Sequence, residues 1–152
     1  MRKILLLVTA FAMLFASSAC GKKEEVKPSA ESVKATLALA ALSGMEKAYV
    51  ARDMAGTIKP VSQELKSGYS EFQTSLRKDI ETYDSVEINI EIDRVEIRDD
   101  KIKTVFHWNG TWHEKDGAGH EGRGNSVFVF VDKSGQMAID EIIGDSPFGV
   151  VR

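Results

Sequence analysis

The chain has a single cysteine, Cys20, among its 152 residues. A disulfide framework is therefore excluded as a support for the fold. Nor does it contain an apolar run long enough to cross a bilayer as a helix, which takes roughly 20 residues. The one sustained run, residues 4–15, falls short of that, and no second one follows. Basic residues are not clustered anywhere, and acidic side chains outnumber basic ones by 23 to 20. That balance argues against a phosphate backbone as partner, so no nucleic acid is expected. Internal repeats are absent too, and the only biased tract is a short polar segment near the start.

What is present begins with a leader. Met1-Arg2-Lys3 is positive, residues 4–15 are almost wholly apolar, and small residues follow. This order describes a secretory signal peptide. Two processing routes compete. Ordinary signal peptidase can use Ser17 and Ala19 as its small residues. Alternatively, Ser17-Ser18-Ala19-Cys20 resembles a bacterial lipobox, with Ser17 standing where a branched aliphatic is usual. A lone thiol in an oxidising compartment is awkward, and acylation removes it by making the sulfur a thioether. Each buried CH₂ of an acyl chain is worth about 0.8 kcal/mol, so two or more chains hold a domain firmly on a membrane.

The lipobox route makes residues 1–19 a lipoprotein signal peptide, Cys20 the lipidated first residue, and residues 20–28 a tether. The tether is polar with one aliphatic side chain, Val26, too little to form a core. The location implied is the bacterial cell envelope, and Gly21 after the cysteine resembles the outer-membrane default, facing the periplasm. Losing Arg2 and Lys3 takes 20 basic side chains to 18 against 23 acidic ones, a formal charge of −5. By length the remainder is one domain.

Helical signals fill residues 29–83. Ser29 caps a helix running to about Arg52, with Val33, Leu37, Ala41, Met45 and Ala48 on one stripe that Leu39, Leu42, Tyr49 and Val50 widen. A short second helix covers residues 54–59 and ends at Pro60. Ser70-Glu71-Phe72-Gln73 fits a capping box with Ser70 at N-cap. Phe72, Leu76, Ile80 and Tyr83 then recur at helical spacing. At Val86 the period becomes two, with Ile88, Ile90 and Ile92 alternating with polar residues. Past Arg94 the phase slips to Val95 and Ile97, which predicts a β-bulge near Asp93-Arg94. After a turn at Asp99-Asp100-Lys101, a second strand carries Phe106, Trp108 and Trp112 on one face and Val105, His107 and His113 on the other. A third strand (about 120–131) and a fourth (137–143) follow. The register across residues 114–119 is left open, since a one-residue slip exchanges the faces. The pattern is α+β: three N-terminal helices packed on a long, bent antiparallel sheet.

This order resembles the cone-shaped nuclear transport factor two-like fold over about residues 30–149. "SVFVFVDKSGQMAIDEIIGDSPFG" is similar to the end of many small bacterial members of that superfamily, and "AYVARD" to the end of their first helix. The resemblance implies a domain at 29–152 and a cavity between helices and sheet. Fold alone does not choose among the superfamily's enzymes and its non-catalytic partners. Tyr49, Phe72, Tyr83, Phe106, Trp108, Trp112, Phe128 and Phe130 are the aromatics that either line that cavity or fill it as a closed core.

Among candidate chemistries, His107 and His113 lie six residues apart, about 20 Å along a strand, too far to share one ion. His113 and His120, with Glu114 or Glu121, are the remaining combination across the loop. Solvated histidines are the simpler reading, so no metal and no cofactor is expected. An isomerase-like site needs a carboxylate and an oxyanion donor in an apolar cavity. Asp79, Tyr83 and Asp93 have the right chemistry, although Asp79, beside Lys78, reads as solvated. A dehydratase-like site needs an inward histidine, for which His107 is the candidate. No family catalytic residue matches a position here. Arg123, among Gly122, Gly124 and Asn125, reads as a surface arginine with the reach to meet an anion. Val127, Val129 and Val131 alternate with Phe128 and Phe130, so this strand is apolar on both faces and needs cover on both. A second copy on the outer face, a homodimer, supplies it. The function expected is a lipid-anchored, non-catalytic module binding a small apolar ligand or an envelope protein. The alternative is an envelope enzyme of isomerase or dehydratase type.

Overall fold

The computed structural model describes residues 27–150; the leader, Cys20 and most of the tether lie outside the described residues. Helix α1 (Ala30–Val50) starts where the Ser29 side chain accepts a hydrogen bond from the Ser32 backbone N–H at 3.1 Å. Its buried line is Ala38, Leu42, Met45 and Tyr49. That line is rotated from the expected stripe, for Val33 and Leu37 remain 44% and 43% exposed. The buried line begins at Ala38, which is fully buried. At the C-terminal end, Ala51 caps the helix and Arg52 adopts a left-handed φ of 59°. The Arg52 guanidinium donates to the Ile80 carbonyl (2.7 Å) and meets the Asp84 carbonyl and carboxylate (3.3 Å each). It thereby ties the end of α1 to the stretch from Ile80 to Asp84.

Helix α2 (Met54–Ile58) is capped by Asp53, which accepts from the Gly56 N–H at 3.0 Å. Helix α3 (Tyr69–Thr82) corrects the expected capping box: its N-cap is Gly68 at φ 95°, without a side-chain cap, and Ser70 lies within the first turn. Only glycine adopts that φ readily, and the Glu71 carboxylate folds back over Gly68, filling the space a capping side chain would use.

The sheet is a four-stranded antiparallel meander, β1 (Tyr83–Arg98), β2 (Lys101–Glu114), β3 (Gly119–Lys133) and β4 (Gln136–Gly144), in that spatial order. Asp99 and Asp100 both have positive φ (49° and 62°), as do Ser134 and Gly135 (57° and 85°). Both hairpins therefore close with the two-residue geometry that matches strand twist. The expected bulge is present: Ile92 pairs with Phe106 and Arg94 with Val105, leaving Asp93 as the extra residue. Further register shifts fall at Asp84 and, on β4, at Asp140. Such extra residues bend strands. The 60–66 segment covers the free side of β4, where Val61 bridges Ile139 in parallel and the Ile139 N–H donates to the Pro60 carbonyl at 2.7 Å.

The open register is settled by pairs such as Thr104–Phe128, Phe106–Ser126 and Trp108–Gly124. The Phe106/Trp108/Trp112 face therefore shares its side with Phe128 and Phe130, and all five point at the helices. A glycine lane makes room for the indoles. A Cβ on Gly122 would stand 3.1 Å from the Trp112 ring and 3.3 Å from Trp108. On Gly124 it would stand 3.0 Å from Trp108 and 2.6 Å from the Asp145 Cβ. Each fully buried large apolar side chain contributes about 1.5–3 kcal/mol.

Two substitutions test this architecture. Gly124→Ala should destabilise the domain by about 1–3 kcal/mol through overpacking, read as a lower urea midpoint. Arg52→Gly relieves the left-handed backbone, yet it should still lower stability by about 1–2 kcal/mol, because charged hydrogen bonds to Ile80 and Asp84 are worth more than that relief. A more stable Arg52→Gly protein would mean that the clamp contributes nothing.

Candidate functional site

Four elements converge on one buried carboxylate. Asp79, in the last turn of α3, is 1% exposed. Its Oδ2 accepts from the Tyr49 hydroxyl at 2.5 Å and from the Val150 backbone N–H at 2.9 Å. The Trp112 indole N–H donates to the same Tyr49 oxygen at 2.9 Å. The last turn of α1, the last turn of α3, strand β2 and the C-terminal segment are thus joined through one network. Burial pushes the Tyr49 hydroxyl pKa well up, and the neighbouring Asp79 charge pushes it further, so the phenol remains a proton donor. Tyr83 lies alongside, its pKa also raised first by burial and then by Asp79.

Asp79 is a correction to the sequence reading, which set it on a solvated helix face beside Lys78. The helix turns Lys78 outward and Asp79 inward, and Tyr49 and Val150 compensate the burial that a carboxylate otherwise resists.

The aromatic candidates surround this network. Tyr49, Phe106, Trp112, Phe128 and Phe130 are fully buried, Trp108 and Tyr83 nearly so, and Phe72 is half-buried against the same cluster. Phe148, to which the sequence reading gave no role, completes the enclosure. Its ring lies edge-on to Tyr49 at 5.2 Å and tilted against Phe128 at 6.2 Å. Its sequence signal is an aromatic placed directly after a Gly-Asp-Ser-Pro turn. Clefts open on the outside of the domain. One of about 540 Å³ lies between Lys34 and the two hairpin turns, and one of about 490 Å³ lies over Asn109, Thr111, Glu121 and Arg123.

The other candidates do not join this network. His107 lies on the outer face of the sheet, Nδ1 2.8 Å from Asp93 and Nε2 3.4 Å from Glu91. It therefore does not serve as the inward histidine of a dehydratase-like site, and Asp93, re-aimed by the bulge, is not in the cavity. The hydrogen bond with Asp93 raises the His107 pKa. His113 pairs with Gly119 and His120 with Trp112, so the two histidines point to opposite faces and do not share a ligand. Among the described residues no three His, Cys, Asp or Glu side chains gather as a metal site.

Neither family models nor curated proteins match the chain. Solved structures do. An NTF-2 like protein of unknown function from Shewanella oneidensis superposes with a TM-score of 0.59 at 13% identity, covering 73% of this chain and 98% of that one. A nuclear transport factor 2 (NTF2-like) superfamily protein from Salmonella enterica serovar Typhimurium gives 0.60 at 13%, covering 75% and 93%. The association domain of C. elegans CaMKII gives 0.58 at 10%, covering 76% and 98%. At these identities the likeness establishes the fold, the nuclear transport factor 2-like α+β cone.

Removing the Tyr49 hydroxyl (Tyr49→Phe) takes one donor from Asp79 and leaves the Trp112 indole N–H unpaired. Urea unfolding should show a loss of about 1–3 kcal/mol. His107 yields a pH test. Its folded pKa is raised above the unfolded value near about 6.5, so its stabilising contribution is complete below that pH and disappears as pH rises through the folded pKa. Relative to His107→Gln, the wild-type protein should therefore be more stable at pH 6 than at pH 8. Parallel curves would remove the Asp93 pairing from the account.

Proposed function

We propose that this chain is a lipid-anchored protein of the bacterial cell envelope whose folded domain is a non-catalytic binding or interaction module. What supports a non-catalytic reading is the packing between helices and sheet: Trp112, Phe128 and Phe148 are fully buried there, and Asp79 Oδ2 accepts hydrogen bonds from Tyr49 and Val150. The anchor is argued from Cys20 and its preceding small residues, with Gly21 favouring the outer membrane and a periplasmic orientation. Mass spectrometry of the mature protein should find Cys20 as an acylated N-terminal residue. An unmodified sulfur there would overturn the placement.

Self-association through the outer sheet face belongs to the same proposal. Arg94, Val105, Val127 and Ile143 form one row across that face. Ile143 is 47% exposed, whereas Val129 in the next row is covered by its neighbours. Val129 has Lys103 and Glu141 on either side, so part of the cover expected from a second copy already comes from this chain. The association domain among the solved structures favours a shared use of the fold. Sedimentation at micromolar concentration should show a dimer, and Val127→Glu should shift it to monomer by burying an unpaired charge.

The enzyme alternative draws on Asp79 beside Tyr49 and Tyr83 in apolar surroundings, a carboxylate and phenols of the kind isomerases use. It needs a substrate-sized space next to Asp79, which the C-terminal segment occupies.

A further inference from the structure

The outer face of the sheet carries a titratable cluster, Glu91, Asp93 and His107, beside the apolar row of Val105, Val127 and Ile143. We infer that His107 is the pH switch of self-association: two copies pair when its imidazole is protonated and separate when it is neutral. This rests on the self-association reading and adds its regulation.

The geometry asks for both ring protons. His107 Nδ1 lies 2.8 Å from Asp93 Oδ1, and Nε2 lies 3.4 Å from Glu91 Oε2. A neutral imidazole has one N–H and one lone pair, so it donates to one carboxylate and turns its lone pair toward the other. Only the imidazolium donates to both. The carboxylates address opposite nitrogens of the ring, so the three groups do not converge on a single ion. Asp93 already raises the His107 pKa in the single chain. The bulge builds the cluster: Glu91 pairs with His107 directly, and Asp93 is the extra residue between the Ile92–Phe106 and Arg94–Val105 pairs.

The neighbouring charges leave the decision to His107. Among the described residues, the ion pairs of Glu91 and Asp93 both run to this imidazole. Glu91 also accepts from the Asn89 amide, which is neutral, at 3.0 Å. Arg94 donates to Glu96, and Lys66 to Glu141, each at 2.7 Å. From β3 the residue opposite His107 is the neutral Asn125, with Arg123 two residues further along. On β2 itself, Lys103 lies beyond Val105. The two carboxylates carry −2, and the imidazolium brings the cluster to −1.

That difference matters most where water is removed. A standard interface covers about 800 Å² of each partner, a patch roughly 30 Å across. Val105 and His107 are two residues apart on one strand, about 7 Å, so a contact centred on the apolar row reaches the cluster. All three of its side chains are open to solvent in the single chain. Taking unpaired carboxylates out of water opposes association, and a symmetric contact does so twice. Pairing therefore takes up protons, and by linkage it is favoured below the His107 pKa and weakens as pH rises through it.

Sedimentation equilibrium of the full chain at pH 6 and pH 8, at constant ionic strength, tests the switch. The wild-type dimer should dissociate about tenfold or more readily at pH 8. His107→Gln should give the same dissociation constant at both pH values, close to that of the wild type at pH 8. Asp93→Asn removes one carboxylate, so its dimer should be tighter than the wild type at pH 8. Equal wild-type constants, a pH dependence that survives in His107→Gln, or no gain in Asp93→Asn would overturn the switch and leave self-association standing. A monomer at both pH values would remove self-association, and the switch with it.

Discussion

A carboxylate taken out of water must be hydrogen-bonded or it destabilises the fold by several kcal/mol. In this protein that requirement organises the interior. Asp79 is satisfied by a phenol from α1 and by a backbone N–H from the C-terminal segment, and the phenol is in turn held by an indole from β2. Each partner comes from a different element, so α1, α3, the sheet and the C-terminal segment are correctly placed together or Asp79 is left short. Apolar packing alone tolerates sliding, whereas a network of this kind accepts one arrangement.

The sheet reaches the network because it is bent and because it is thin where it has to be. The extra residues Asp84, Asp93 and Asp140 curve the strands around the helices. Gly122 and Gly124 lie against Trp112 and Trp108, so two of the largest side chains rest on bare backbone. The Arg52 clamp then holds the end of α1 against the stretch from Ile80 to Asp84, fixing Tyr49 relative to Asp79 and Tyr83. Outside, polar pairs such as His107–Asp93 and Lys66–Glu141 flank the short apolar row of Val105, Val127 and Ile143. The two sides of the sheet thus differ in kind, the inner one an aromatic core and the outer one a surface.

Much of the fold was legible because strand signals are local. The change of period at Val86, the phase slip at Asp93-Arg94 and the turn at Asp99-Asp100 are all readable over a few residues. Ser29 as a cap is equally local. The failures have a common cause. The rotation of α1, the glycine cap of α3 and the burial of Asp79 each depend on what lies across the interface. Ala38 in place of Val33, Gly68 in place of Ser70, and an inward Asp79 next to an outward Lys78 were chosen by contacts distant in sequence. The inward placement of Phe148 is equally non-local, because a single aromatic in a terminal segment has no periodicity to show which way it faces.

The sequence by itself determined the order of helices and strands, the bulge and the turns at 99–101 and 133–135, since each follows from side-chain spacing or turn residues over a short stretch. Tertiary structure alone decided that His107 faces water, that Asp79 does not, and that Phe148 of the C-terminal segment packs against Tyr49 and Phe128. Those outcomes depend on registers, helix rotations and one backbone N–H meeting one carboxylate 71 residues away along the chain. No local pattern encodes such a meeting, because its free energy appears only when all the partners are already in place.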